Sequence, residues 1–218
     1  MGGRVRLILA MLGGGLALAL VPAVAGAAGG GNATVCSGSL PPGTYHSIVV
    51  PAGQTCDLGD GPATVLAGVS VGPGATFSLG HEQPRTPPTS TIGGGVSGDN
   101  AAQVQIHNAR ITGGVNLQGG AGPNCGGGPC FSDLEDDVVN GGATINGYDG
   151  FWLGFIRNTV AGTTTITNNH VPDEIDLGSN TVKGALRCGG NNPLENTGDS
   201  PGAPNTVTGQ DTCNENPA

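Results

Sequence analysis

The chain has 218 residues, 43 of them glycine and 16 proline, with 11% charged residues and a formal net charge of −9. Beyond Arg4 and Arg6 only Arg85, Arg110, Arg157, Lys183 and Arg187 are basic, and they are scattered; such an acidic surface repels a phosphate backbone and excludes nucleic acid as a partner. Glycine and proline at this level usually accompany disorder, yet here the apolar residues recur in register, which a disordered chain has no need of.

At the N-terminus, Arg4 and Arg6 precede an uncharged apolar run from Leu7 to Val24, followed by the small-residue sites Ala23-Val24-Ala25 and Ala25-Gly26-Ala27. This is the layout of a secretory signal peptide over residues 1–27, leaving residues 28–218 as a single exported domain with no membrane association after cleavage. Six cysteines (Cys36, Cys56, Cys125, Cys130, Cys188 and Cys213) lie beyond it, and an even count in an exported chain reads as disulfides.

From residue 104 onward the sequence repeats. The centres are Ile111-Thr112-Gly113, Val139-Asn140-Gly141, Val160-Ala161-Gly162, Val182-Lys183-Gly184 and Val207-Thr208-Gly209, spaced 28, 21, 22 and 25 residues apart. Five residues before the first four stand Ile106, Leu134, Phe155 and Leu177. Six residues after all five stand Leu117, Ile145, Ile166, Cys188 and Cys213. A period near 22 with short β-rich segments predicts an all-β solenoid, a right-handed parallel β-helix of six or seven coils whose neighbours share one core. Equivalent side chains then form columns at about 4.8 Å spacing. Glycine is expected at corners that need φ > 0, and Asn158, Asn180 and Asn205 form a further column able to hydrogen-bond as a ladder.

Cys188 and Cys213 share a column one coil apart, within disulfide reach. Sequential pairing, 36–56, 125–130 and 188–213, is the connectivity chosen among 15. Nearer the N-terminus, Val65, Val69 and Val71 repeat the spacing, leaving room for one coil before Ile111. Proline- and glycine-rich stretches near 81–100 and 118–130 read as loop insertions.

The run Leu177-Gly-Ser-Asn180-Thr-Val182-Lys-Gly184-Ala-Leu186-Arg-Cys188, with Asn205-Thr-Val207-Thr-Gly209 and Cys213, resembles small secreted bacterial right-handed β-helix proteins of the pectate-lyase-like superfold. The resemblance implies the fold over residues 36–213 and is nearly silent on activity.

Motifs for chemistry are few. Gly68-Val69-Ser70-Val71-Gly72 fits the nucleophile-elbow pattern but lacks the following helix, so it reads as solenoid strand. Gly93–Gly98 fits Gly-x-Gly-x-x-Gly without a βαβ context and reads as loop. Gly119–Asn124 is a single imperfect copy of a calcium-binding repeat, and His46, His81, His107 and His170 show no metal-ligand spacing and default to surface positions. The acids Asp133, Glu135, Asp136, Asp137, Asp173, Glu174 and Asp176 gather on adjoining coils. Asp133 and Asp176 share an outward column two coils apart, about 9.6 Å, near the upper limit for an inverting glycosidase. Gly154 between them is expected to leave a groove, and Trp152 and Tyr148 lie nearby. Asp136 and Arg157 share another column as a surface ion pair.

The favoured reading is a non-enzymatic structural or binding protein, secreted to the cell envelope or extracellular space, with no catalytic residues, cofactor or metal assigned and with extracellular polysaccharide or an envelope component as partner. Solvated acids on one face suit it. The alternatives are a hard-cation site at Asp133, Glu135, Asp137 and Asp176, or a polysaccharide hydrolase or lyase using the same face.

Overall fold

A computed structural model describes residues 31–81, 89–120, 122, 124–125, 127–196 and 202–213; the leader lies outside them. The chain is a disulfide-stapled parallel β-helix of three sheets, one strand of each per coil. Sheet 1 stacks eight strands from Ala33–Val35 to Leu186–Gly189, sheet 2 seven from Gly38–Ser39 to Ile175–Gly178, and sheet 3 eight from Gly43–Tyr45 to Thr206–Val207. Two of the sheets thus run to eight strands, one more than the six or seven coils expected. The first coil, Ala33 to Tyr45, is mostly solvent-facing and lacks the apolar spacing that marks the others.

Register follows the apolar columns. Ile106, Leu134, Phe155 and Leu177 face one another along sheet 2, and Leu117, Ile145, Ile166 and Cys188 along sheet 1. All these side chains except Cys188 are buried in one continuous core, because a strand's alternation turns every second residue inward. Outward on sheet 3, Thr44, Thr64, Thr91, Thr159, Thr181 and Thr206 share one column with Arg110 and Val138; β-branched residues favour that surface.

Two strands, Ser90–Ile92 and Val96–Asp99, lie inside the stretch expected to be a loop. Ile92 pairs with both Val65 and Ile111 and supplies the missing coil. Gly93-Gly94-Gly95 is accordingly a close-stacked corner: a Cβ on Gly95 would sit 2.7 Å from the Gly114 carbonyl oxygen.

That observation corrects the role of the repeat glycines. Gly113, Gly141, Gly162, Gly184 and Gly209 do not have positive φ. They are glycine because adjacent coils touch there; a Cβ on Gly209 would meet the Gly184 carbonyl oxygen at 2.6 Å. Positive φ falls instead on two other corner columns. One runs Gly74, Asn100, Gly119, Gly147, Asn168, Gly190, and the other includes Asn108, Asp136, Arg157 and Ser179.

The three disulfides pair as expected, with Cα separations of 5.4, 5.1 and 4.8 Å. Cys188–Cys213 joins one column across adjacent coils, but Cys36 does not share a column with Cys56, which pairs with Gly38.

Candidate functional site

The outer face of sheet 2 carries the acids. Phe131–Glu135, Trp152–Ile156 and Ile175–Gly178 pair in parallel, so Asp133, Gly154 and Asp176 form one outward column over three coils. Gln105 precedes Asp133 in that column, and His107 faces Glu135.

The groove expected at Gly154 does not exist. A Cβ there would run into the Trp152 ring, whose indole lies over the glycine, and the indole Nε1 donates to Asp176 Oδ2 at 3.1 Å. Leaving a side chain off residue 154 therefore makes room for the tryptophan, not for solvent or a substrate. Asp133 is 6% exposed and Asp176 2%, so these are not solvated surface acids. His107 Nε2 lies 3.3 Å from Asp133 Oδ1, an ion-pair distance without an aligned hydrogen bond to that oxygen. His107 is itself buried, contrary to the surface position expected of it. Its place was readable in the sequence, since His107 follows Ile106 as Glu135 follows Leu134.

The Asp136–Arg157 pair is present and extends further than expected. Arg157 Nε reaches both Asp136 oxygens at 3.0 and 3.1 Å, and Nη2 bonds Asp136 at 2.9 Å and Glu135 at 2.6 Å. Burial by itself favours the neutral guanidine, but the two carboxylates outweigh it and hold the Arg157 pKa above its ordinary value. One arginine thereby pairs with two of the clustered carboxylates through charge-assisted hydrogen bonds.

The other acids separate. Asp173 is exposed at a bend, and Glu174 accepts from Asn196 Nδ2 at 3.0 Å. Asp137 leaves the face altogether and enters the corner between sheets 2 and 3, in the column of Asn158, Asn180 and Asn205. There each amide oxygen accepts the backbone N–H of the equivalent residue one coil earlier: Asn158 from Asp137 at 3.0 Å, Asn180 from Asn158 at 2.8 Å, Asn205 from Asn180 at 2.9 Å. Each Nδ2 donates to a carbonyl of the coil before, respectively Leu134, Phe155 and Leu177. A second ladder, which the sequence reading missed, runs through Asn169 and Asn191 at the corner between sheets 1 and 2. Its signal was available, since both stand nine residues after their centres.

Beside the acids lies an aromatic corner. Phe131 packs edge-on against Phe151 and Trp152, with centroids 5.7 and 6.4 Å apart, and all three residues are partly exposed. The Tyr148 hydroxyl, 3.2 Å from the Cys130 carbonyl, anchors the disulfide loop beneath them, and burial pushes its pKa up.

No family model, curated protein or solved structure matches this chain. Among the described residues no three of His, Cys, Asp and Glu are arranged to hold a metal ion, and no helix is long and apolar enough to cross a membrane. Ser70 lies in strand Val69–Val71 between two buried valines, as the strand reading expects.

Proposed function

We propose that this protein is an exported, non-enzymatic β-helix of the cell envelope or extracellular space, a scaffold that binds through its outer faces. The observation that carries this reading is the Trp152 indole over Gly154. A glycosidase of the inverting kind needs a water between its two carboxylates, and here an aromatic ring occupies the gap. Three disulfides suit an oxidising compartment outside the cytoplasm, and the coil architecture is consistent with the pectate-lyase-like superfold, whose members carry many functions on one frame.

The partner we favour is an extracellular polysaccharide or a wall component. The Phe131–Phe151–Trp152 corner offers partly exposed rings for sugar stacking, and Gln103 and Gln105 stand on neighbouring outward positions to hydrogen-bond hydroxyls. A second reading, a hydrolase or lyase acting at Asp133 and Asp176, is favoured only by their shared column. A glycan-array screen of the wild type against Trp152→Ala tests the binding reading. Glycans that the wild type retains and the variant loses are expected, and an array blank for both proteins would remove the sugar partner.

A further inference from the structure

Asp137 is 1% exposed and occupies the position in the corner ladder that Asn158, Asn180 and Asn205 hold on later coils. Its Oδ1 accepts the Ala109 N–H at 2.7 Å, as the Asn158 Oδ1 accepts the Asp137 N–H one coil on. Its Oδ2 is buried without a hydrogen-bond partner. In the asparagines the equivalent atom is Nδ2, which donates to a carbonyl of the preceding coil: Leu134 for Asn158, Phe155 for Asn180. Ile106 faces Leu134 in register, so Asp137 Oδ2 stands where a donor to the Ile106 carbonyl belongs. A carboxylate has no proton to give there, and a carboxylic acid has one.

We propose that Asp137 is held in the fold as the neutral acid, its Oδ2–H completing the ladder to the Ile106 carbonyl, and that losing this proton is a built-in alkaline release of the corner beneath the acidic face. The surroundings agree. Burial, followed by repulsion from Asp133, Asp136 and Glu135, raises the Asp137 pKa well above the ordinary carboxylate range, against the lowering effect of the Ala109 N–H. The charged groups around it are Asp133 and Glu135 on the preceding strand, Asp136 in the corner, His107 opposite Glu135, and Arg157, whose Nε and Nη2 donate to Asp136 and Glu135. Its contacts on the neighbouring coils, Ala109 and Asn158, are neutral. Among the described residues no cation is paired with Asp137, so ionisation there meets acids and carbonyl oxygens.

The sign follows. The folded-state pKa is raised, so the stability contributed by the proton is fully present below the unfolded value near 3.9. It is lost as pH climbs from there through the folded value. Within that window one proton shifts the unfolding equilibrium by about tenfold per pH unit. An asparagine substituted at this position carries the donor permanently and removes this dependence.

The experiment compares wild type with Asp137→Asn by thermal unfolding from pH 4 to pH 9, with infrared difference spectra of the folded proteins at pH 7. The expected result is near-equal melting temperatures at pH 4, a gain of several degrees for Asp137→Asn at pH 8, and a protonated-carboxyl C=O band in wild type that the variant lacks. A melting difference independent of pH would overturn the proposal. Should the variant not fold, the wild-type spectrum decides alone: a buried protonated carboxyl at pH 7, titrating only at higher pH, supports it, and its absence refutes it.

Discussion

The Trp152 indole of one coil donates to the Asp176 carboxylate of the next, across 3.1 Å, and the ring that makes this bond also fills the place of a missing side chain at residue 154. Tryptophan, glycine and aspartate are thus one unit. The glycine admits the ring, the ring shields the carboxylate, and the carboxylate fixes the ring through its only polar atom.

Because Trp152 is the sole tryptophan, its emission reports on this unit. Gly154→Ala places a methyl where the indole lies and must push the ring outward. A red-shifted emission is expected, with a loss of about 1–3 kcal/mol in denaturant unfolding, the usual cost of overpacking. Unchanged emission would mean that the indole does not sit over the glycine.

The repeat glycines should divide by what faces them. A Cβ on Gly141 would stand 2.6 Å from the Gly113 carbonyl oxygen, backbone that cannot swing away, whereas nothing lies within 4 Å of one on Gly189. Gly141→Ala should cost about 1–3 kcal/mol, and Gly189→Ala, whose φ is not positive, should be neutral or gain up to about 1 kcal/mol through the unfolded chain. Urea melts of the two variants side by side check the contrast.

The columns were legible in the sequence because burial imposes one spacing on every coil: Ile106 to Leu177 and Leu117 to Cys188 face one another in the predicted order, and the last disulfide fell out of the same count. The role of Gly141 was not legible, since close stacking and positive φ leave the same residue in a sequence. Nor could the glycine at 154 be distinguished from a gap, because a period says which residues share a column but not where a large neighbouring side chain folds. The strands within 89–99 were obscured by prolines and glycines that punctuate coils here as well as loops.

The corner ladder should behave as a shared network. Asn180 accepts from the Asn158 N–H at 2.8 Å and donates to the Phe155 carbonyl at 2.7 Å and to Asn205 Oδ1 at 2.8 Å. Asn180→Ala strands a buried donor and a buried acceptor, each worth about 1–3 kcal/mol when left unmade. We expect a loss of about 2–6 kcal/mol, the sum of those two costs, with faster amide exchange at Asn158 in particular; an exchange rate there equal to wild type would show that the side chain is not the acceptor.

The direct test of the account is product release. Purified wild-type protein incubated with polysaccharides of neutral and uronic-acid types should liberate no reducing ends and no unsaturated products above a heat-inactivated control, because the carboxylates of Asp133 and Asp176 are sealed apart by an aromatic ring. Steady release by the wild type that Asp133→Ala abolishes while leaving the fold intact would contradict it and make the acidic face an active site.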